Sequence, residues 1–244
     1  MSLLEIDRLE ARHGLLLAVR SLTLQVAEGE IVAVVGSNGA GKTTLFRTIA
    51  GAHSAAAGSI RFAGQDITRS EAHKRVGMGI ALVPEGRHLF ASMTVKENLQ
   101  LAGEYGRRGC WTLERVFDAF PALKPFAKSL AGNLSGGQRQ AVAIGRALMS
   151  NPRILLLDEV SLGLSPVAVE GLYESLGSLK LERSTTMVIV EQDLKRAQAF
   201  ADRIICMLEG QIALEGKSAH LAKDDIAKAY FGLDQAAGEP SLCH

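Results

Sequence analysis

Long apolar runs are missing from this sequence of 244 residues. None of its uninterrupted apolar stretches approaches the roughly 20 residues that a membrane-spanning helix needs. The first residues, MSLLEIDRLEARHG, carry a charge every few positions, which is untypical of signal and transit peptides. We therefore expect a chain that is soluble by itself and that takes part in membrane processes only through a partner.

An excess of one charge sign is also missing. The formal net charge is +1 and no long basic run occurs, so the electrostatic footprint of a nucleic-acid-binding protein is absent. The three cysteines, Cys110, Cys206 and Cys243, lie far apart and form no CxxC pattern. This favours unpaired thiols in a reducing cytosol over a disulfide framework. The histidines show no metal-ligand spacing.

Short apolar segments and helical patterns alternate along the rest of the chain. IVAVV (31–35), RILLLDE (153–159) and MVIV (187–190) are apolar nearly throughout, which is typical of strands buried on both faces. Residues 203–216 read as an edge hairpin that turns at Glu209-Gly210. Strands of this kind between helices predict an α/β fold with a mostly parallel sheet.

We predict a single domain over residues 1–244. LTLQV (22–26) alternates apolar and polar residues, and residues 59–67 read as a hairpin that turns at Gly64. Residues 1–87 and 151–234 then form the α/β core with a β part, 88–150 a helical insert that interrupts it, and 235–244 a frayed tail.

A glycine-rich loop follows the strand at 31–35. GSNGAGKTT (36–44) fits the pattern G-x-x-x-x-G-K-[ST] and opens a predicted helix that Gly51 ends. Such a loop aims backbone N–H groups and a helix N-terminus at phosphate oxygens. A glycine turn before an ordinary helix is the alternative. The predicted phosphate-binding residues are Gly36, Ser37, Asn38, Gly39, Ala40, Gly41, Lys42, Thr43 and Thr44.

The roles of the last three residues follow from their chemistry. Lys42 would neutralise the β- and γ-phosphates of ATP, the Thr43 hydroxyl would bind Mg²⁺, and Thr44 would lie beside the α-phosphate. Asp158, at the end of ILLLDE, would hold the Mg²⁺ shell at the carboxyl edge of the sheet. Glu159 would polarise the attacking water. A strand that ends in two solvated acids is the alternative.

The segment LSGGQ (134–138) resembles the signature of ABC ATPases. Ser135 is a good N-cap, Gly136 and Gly137 expose backbone N–H groups, and Gln138 follows, so this is a second anion site. In that family the signature faces the ATP of a partner subunit. The resemblance covers essentially the whole chain and implies a P-loop (RecA-like) ABC nucleotide-binding domain with an N-terminal antiparallel β part and a helical insert.

Finer motifs resemble the LivF-type ATPase subunit of branched-chain amino-acid importers; they are ALVPEGRHLFASMTVKENL, DEVSLGLSP, VEQD, ADRIICMLEGQIALEG and AYFG. The resemblance implies ATP and Mg²⁺ as ligands and a peripheral location at the cytoplasmic face of the inner membrane. It also implies a second ATPase subunit in a head-to-tail dimer, two permease subunits and, indirectly, an extracytoplasmic solute-binding protein. No nucleic acid is expected. Related subunits serve urea or other amides.

Four positions depart from the general ABC pattern. Glu85 stands where most members have a Mg²⁺-contacting Gln, and the LivF-type family shares this Glu. His13 stands at the place of the adenine-stacking aromatic, with a surface-loop histidine as the alternative. Val160 replaces a proline after Glu159. Gln192 stands where most members have a histidine that touches the γ-phosphate, which favours a paralogous partner subunit with His and Gln at these places.

Gln192 also bears on the run of three polar residues, 191–193, that follows the strand MVIV. By the resemblance this strand ends at the ligand, whereas a plain exit to solvent is the alternative. Two other functions stay open. A soluble ABC ATPase for cofactor or cluster assembly is one, and a non-hydrolysing regulatory subunit is the other, although Lys42, Asp158 and Glu159 argue against the second.

Overall fold

The structure is a computed structural model that describes residues 2–182 and 185–231. Its strands are β1 (Ser2–His13), β2 (Leu16–Ala27), β3 (Ile31–Val35), β4 (Ala57–Phe62), β5 (Gln65–Asp66), β6 (Ile80–Val83), β7 (Ile154–Leu157), β8 (Thr186–Val190), β9 (Arg203–Leu208) and β10 (Gln211–Lys217). Its α-helices are α1 (Lys42–Ala50), α2 (Ala72–Met78), α3 (Val95–Tyr105), α4 (Leu113–Ala119), α5 (Gly136–Met149), α6 (Pro166–Glu182), α7 (Leu194–Phe200) and α8 (Lys223–Phe231). Two 3₁₀ helices span Pro121–Phe126 and Ala131–Asn133.

The central sheet has six strands in the order β10-β9-β3-β8-β7-β6. All its pairs are parallel except the β9–β10 hairpin at the edge, which confirms the predicted α/β fold. Successive residues of each parallel strand face opposite sides. In β3, Ile31, Ala33 and Val35 belong to one hydrophobic core and Val32 and Val34 to the other. Burial on both faces explains the continuous apolar runs.

A second, antiparallel sheet has the order β2-β1-β4-β5 and covers one core. The sequence patterns identified only residues 22–26 of β2 as a strand and gave no strand for β1. Both strands span 12 residues, with register shifts near Leu9 and positive φ angles at Arg8 and Ser21. These irregularities interrupt the alternation of apolar and polar residues, so the pattern does not reveal their full length.

The segment 88–150 contains α3, α4 and α5 and the two 3₁₀ helices. Thr94 and Ser135 begin α3 and α5 with capping boxes, in which each hydroxyl and the side chain three residues later satisfy free backbone N–H groups. Val142, Ile144 and Leu148 of α5 are buried in the core that lies on this side of the sheet. The helical content agrees with the prediction, while the division into subdomains stays a prediction.

Several expectations concern single residues or the ends of the chain. Cys110 is an exposed free thiol and Cys206 a buried one. Cys243 and the predicted tail 235–244 lie outside the described residues. Between residues 2 and 231, leaving aside 183 and 184, the structure contains no helix with the length and apolar character needed to cross a bilayer.

Candidate functional site

The loop between β3 and α1 is packed so closely that two of its glycines have no room for a side chain. A Cβ on Gly36 would overlap the carbonyl oxygen of Met207, and one on Gly41 would overlap that of Ala18. Both have positive φ angles, 150° and 98°, which glycine adopts without strain. Gly51 ends α1 in the left-handed conformation, as predicted. The loop is therefore pre-shaped by its contacts with β2 and the β9–β10 hairpin.

Lys42, at the start of α1, is 3% exposed. Its Nζ donates to the carbonyl oxygens of Gly36 (2.8 Å) and Ser37 (2.9 Å) and lies 3.9 Å from Oε1 of Glu159. Burial lowers the pKa of Lys42, whereas the charges of Glu159 and Asp158 raise it. The ammonium group therefore lies inside the loop, next to two carboxylates.

Asp158 follows β7 and is 1% exposed. Its Oδ1 accepts a hydrogen bond of 3.2 Å from the Thr43 hydroxyl. Burial raises the pKa of Asp158 to about 6, the Thr43 bond lowers it, and the charges of Glu159 and Glu85 raise it. The sequence predicted Thr43, Asp158 and Glu85 as Mg²⁺ ligands. The structure brings Asp158 and Thr43 into contact with Glu85 nearby, and oxygen groups of this kind suit Mg²⁺, which also takes water and phosphate oxygens.

Because the pKa of Asp158 is raised, the free energy of unfolding should depend on whether this side chain is charged. Folding raises this pKa from 3.8 to about 6, so ionisation of the carboxyl costs nothing well below pH 3.8, costs more as the pH rises, and has its full cost above about pH 6. Asp158→Asn stays uncharged and can still accept from Thr43. In EDTA and without nucleotide, we expect it to raise the free energy of unfolding by up to about 3 kcal/mol at pH 7.5 and by about half that at pH 5. Urea unfolding at the two pH values measures this, and an equal gain at both would contradict it.

Glu159 and Gln192 follow the neighbouring strands β7 and β8 and meet beyond the carboxyl ends of those strands. Nε2 of Gln192 donates to Oε2 of Glu159 at 3.0 Å, while the other carboxylate oxygen faces Lys42. The Glu159 side chain is 12% exposed, and its backbone has a positive φ of 50°, a strained conformation for a residue with a Cβ. The carboxylate is thus held by an ammonium group on one side and an amide on the other.

A cavity of about 460 Å³ joins these groups. Its lining comes from the predicted phosphate-binding loop, from the segments that follow β6, β7 and β8, and from the end of β1 and the beginning of β2. The lining residues are His13, Leu16, Ala18, Asn38, Gly39, Gly41, Lys42, Thr43, Thr44, Glu85, Glu159, Leu162 and Gln192. Thr44 accepts or donates a hydrogen bond of 3.1 Å with Nε2 of His13. The His13 ring lies 4.6 Å from that of His53. His13 therefore lies at the cavity, on the side of Thr44.

Two further residues of the loop, Ser37 and Ala40, are fixed by backbone hydrogen bonds. The carbonyl oxygen of Ala40, a buried residue, accepts from the N–H of Gly210 at 3.0 Å. That of Ser37 accepts from Ala40 as well as from Lys42. All nine predicted phosphate-binding positions thus lie in one continuous segment, in which residues 36–41 form the loop and residues 42–44 begin α1.

The signature residues lie elsewhere. Ser135 caps α5, accepting from the N–H of Gln138 at 3.3 Å, and the Gln138 side chain accepts from the N–H of Ser135 at 2.9 Å. Ser135, Gly137 and Gln138 line a second cavity of about 260 Å³ with α6, and Gly136 lies beside Leu164 and Arg87. A single chain therefore does not join its signature to its own phosphate loop.

Sequence reasoning missed a buried set of hydrogen bonds next to this site. Glu191, the first polar residue after β8, is only 2% exposed and takes hydrogen bonds from Ser161, Tyr173 and Arg196. Asp193 instead accepts from the N–H groups of Lys195 and Arg196 and caps α7. The side chains of residues 191–193 therefore have different partners: a buried cluster for the first, Glu159 for the second and the start of α7 for the third. An acid directly after a buried strand was the available signal, but two of its partners, Ser161 and Tyr173, are distant in sequence.

The chain is similar to known proteins over most of its length. The model of the family described as "ABC transporter" matches residues 19–161. A branched-chain amino acid transport ATP-binding protein, BraG of Pseudomonas aeruginosa, is 38% identical over 94% of this chain and 100% of its own length. A probable protein of the same description, LivF of Archaeoglobus fulgidus, is 34% identical over 82% of this chain and 86% of its own.

Solved structures give the same picture. A nucleotide-free ATP-binding cassette from an ABC transporter superposes with a TM-score of 0.80 at 29% identity, over 94% of this chain and 99% of that one. A dimeric, post-hydrolysis ATP-binding cassette bound to ADP and Pi superposes with a TM-score of 0.77 at 27% identity, over 88% of this chain and 98% of that one.

Proposed function

This chain belongs to the ABC transporter family and is an ATPase of that family, and we propose that it powers an importer of branched-chain amino acids or related amino acids and amides. The observation that carries the ATP-driven part of the proposal is the meeting of Lys42, Glu159 and Gln192 around one cavity. The names of BraG and LivF support branched-chain amino acids as the solute class, because the similarity to each protein extends over most of this chain.

ATP is the ligand that this cavity suits. Backbone N–H groups of the phosphate loop and the N-terminus of α1 would hold the phosphates, with Lys42 between the β- and γ-phosphates. We assign Thr44 to the α-phosphate and His13, which lies beside Thr44, to the adenine side. Exposed Leu16, in the same lining, would add apolar contact to the base.

Mg²⁺ fits beside the phosphates. Thr43 and Asp158 would hold it, and Glu85 would face it from the loop after β6. When bound, the metal neutralises phosphate charge. Asp158 must be ionised for this role, so we expect metal affinity to fall as the pH drops through about 6.

We assign the water-activating role to Glu159. One oxygen is held by the Gln192 amide, and the other faces Lys42 at 3.9 Å, so the carboxylate has a defined orientation at the cavity. A positioned carboxylate accepts the proton of a water molecule as that water attacks the γ-phosphorus. Gln192 would sense the γ-phosphate through its amide N–H and would remain neutral at every pH.

Two chains would complete the site. The signature of this chain lies at a different cavity from its phosphate loop, so a head-to-tail arrangement would place Ser135, Gly136 and Gly137 on the partner's ATP. The dimeric relative bound to ADP and Pi supports such an assembly. ATP favours the closed dimer because its γ-phosphate contacts both chains, and hydrolysis removes this preference.

Permease subunits would bind next to Glu85. An apolar groove of about 360 Å³ lies between β6 and the helical segment, and Val83, Pro84, Phe90 and Tyr105 contribute to its lining. Phe90 is 49% exposed and Tyr105 76%. Apolar exposure of this kind marks an interaction surface. We therefore place the chain at the cytoplasmic face of the membrane, with an extracytoplasmic solute-binding protein acting on the same permease.

Gln192→His tests the sensor assignment. A histidine at this position can become cationic and stabilise the charge that develops on the phosphate, which glutamine cannot do. We expect the turnover of the assembled complex to rise severalfold, with the steepest gain below pH 7. Steady-state phosphate release across pH 6 to 8 measures this. Unchanged turnover would remove the basis for regarding Gln192 as the limiting group.

Affinity purification tests the importer assignment. Tagged Glu159→Gln chain, incubated with ATP in detergent-solubilised membranes, should bring down two integral membrane proteins and a second ATPase. Cells without the chain should lose uptake of labelled leucine, isoleucine or valine, and wild type but not Lys42→Met should restore it. Recovery with soluble proteins alone would favour cofactor or cluster assembly, and loss of urea uptake alone would favour an amide importer.

A further inference from the structure

Glu191 is a buried carboxylate with an unusually full set of hydrogen bonds. Its side chain is 2% exposed. Oε1 accepts from the backbone N–H groups of Gln192 (2.9 Å) and Asp193 (3.0 Å) and from Arg196 (3.3 Å). Oε2 accepts from the Tyr173 hydroxyl, and the Ser161 hydroxyl lies within 3.1 Å of both oxygens. A carboxylate removed from water is tolerated only with such partners.

These partners come from separate parts of the chain. Ser161 lies in the turn after β7, which the 3.0 Å bond from the N–H of Leu162 to the carbonyl of Glu159 closes. Tyr173 is on α6 and Arg196 on α7. Burial and the nearby Glu191 raise the pKa of Tyr173 well above its ordinary value, so its hydroxyl keeps its proton and donates it. One carboxylate therefore joins two helices and two loops.

The two loops are the ones that carry Glu159 and Gln192. Ser161 is two residues after Glu159, and Glu191 directly precedes Gln192. Glu159 has a positive φ of 50°, a conformation that persists only where neighbouring structure holds it. The 3.0 Å contact between Gln192 and Glu159 at the cavity thus has a second, buried connection behind it, from Glu191 to Ser161.

We propose that Glu191 is a positioning residue for ATP hydrolysis, because its hydrogen bonds to Ser161 and to the backbone of Gln192 hold Glu159 and Gln192 in register. This rests on the roles proposed above for those two residues. Glu191 does not line the nucleotide cavity, so it acts through its neighbours and leaves the binding of ATP to the phosphate loop.

Two substitutions at Glu191 distinguish the effect of its hydrogen bonds from the effect of its charge. In Glu191→Gln the amide oxygen can still accept from the two backbone N–H groups, and the amide N–H can donate to the hydroxyls of Ser161 and Tyr173, which also accept. Glu191→Ala removes every one of these bonds. The amide should therefore keep the two loops in place and restore most of the rate that alanine loses.

The experiment uses the full chain in its purified complex and measures kcat, KM, equilibrium binding of ATP and thermal unfolding. We expect Glu191→Ala to lower kcat by about 10- to 100-fold, the range that a misplacement near 1 Å produces. The KM and the Kd for ATP should change less than about twofold. Ser161→Ala and Tyr173→Phe each remove one hydroxyl and should lower kcat by smaller factors, which keeps the test valid if the alanine variant does not fold. Glu174→Gln, exposed on α6, is the matched control and should behave as wild type.

Three results would overturn the proposal. The first is a wild-type kcat in Glu191→Ala or in both hydroxyl variants. The second is a loss of kcat no larger than the loss of folded protein. The third is a kcat of Glu191→Gln as low as that of Glu191→Ala. Failure of the proposed function would look different. If the complex with Glu159→Gln turns over ATP at the wild-type rate, the role proposed for Glu159 is wrong. If Glu159→Gln is inactive while Glu191→Ala is fully active, only the inference about Glu191 is wrong.

Discussion

Glu159→Gln should reduce ATP turnover by about 100-fold or more, because it removes the carboxylate that we propose accepts the proton of the attacking water. The substitution keeps the size of a side chain that is 12% exposed and can still meet Gln192 and Lys42. An amide oxygen is a far weaker base than a carboxylate. ATP binding should be retained, since the phosphate loop itself is unchanged.

Phosphate release under saturating ATP measures the turnover, and equilibrium titration with ATP measures the affinity. Glu104→Gln, exposed on α3, is the matched control and should retain the wild-type rate. Turnover above half of the wild-type value in Glu159→Gln would show that another group activates the water. The chain should be assayed alone and with its partner, because turnover of the chain alone that Glu159→Gln abolishes would make a homodimer sufficient.

Lys42→Met should weaken ATP binding by at least about 30-fold, which corresponds to the 2 kcal/mol or more lost when a buried charge partner is removed. Lys42 is 3% exposed and already desolvated, so its charge would interact strongly with the phosphates that we propose it binds. Methionine retains the volume and the flexible chain but supplies no charge or donor. Nucleotide-free stability should fall as well, because methionine leaves the half-enclosed carboxylate of Glu159 without its neighbouring cation. The carbonyl oxygens of Gly36 and Ser37 also lose their donor.

Isothermal titration with ATP in Mg²⁺ measures the affinity, and urea unfolding without nucleotide measures the stability. Lys74→Met, an exposed lysine on α2 that pairs with Glu71, is the matched control. A Kd within threefold of wild type would remove Lys42 from the phosphate site. A weakened Kd together with a collapse of the folded protein would show that Lys42 is needed to build the loop.

Much of the fold was predictable because its signals are local. The apolar runs of β3, β7 and β8 and the Gly51 stop of α1 were recognisable without any partner. The turn at Glu209-Gly210 has positive φ angles of 48° and 83°, and the glycine at its second position adopts such an angle without strain. β1 escaped notice because its register shifts break the alternation.

The amino-acid sequence by itself determined which groups are available for the chemistry. The spacing of glycines around Lys42, the acids after β7 and the capping residue of α5 are properties of short segments, since turns and helix ends depend on a few neighbouring residues. These properties were sufficient to predict an ATP site and to indicate the family.

Only the tertiary structure decided which of those groups meet. Glu159 and Gln192 are 33 residues apart, and their 3.0 Å contact depends on the parallel pairing of β7 with β8, in which Leu157 lies opposite Ile189. Glu191 is buried rather than solvated because Ser161, Tyr173 and Arg196 converge on it from three other segments. Such contacts follow from strand order and register, which are set by packing of the whole chain and not by any short stretch of it.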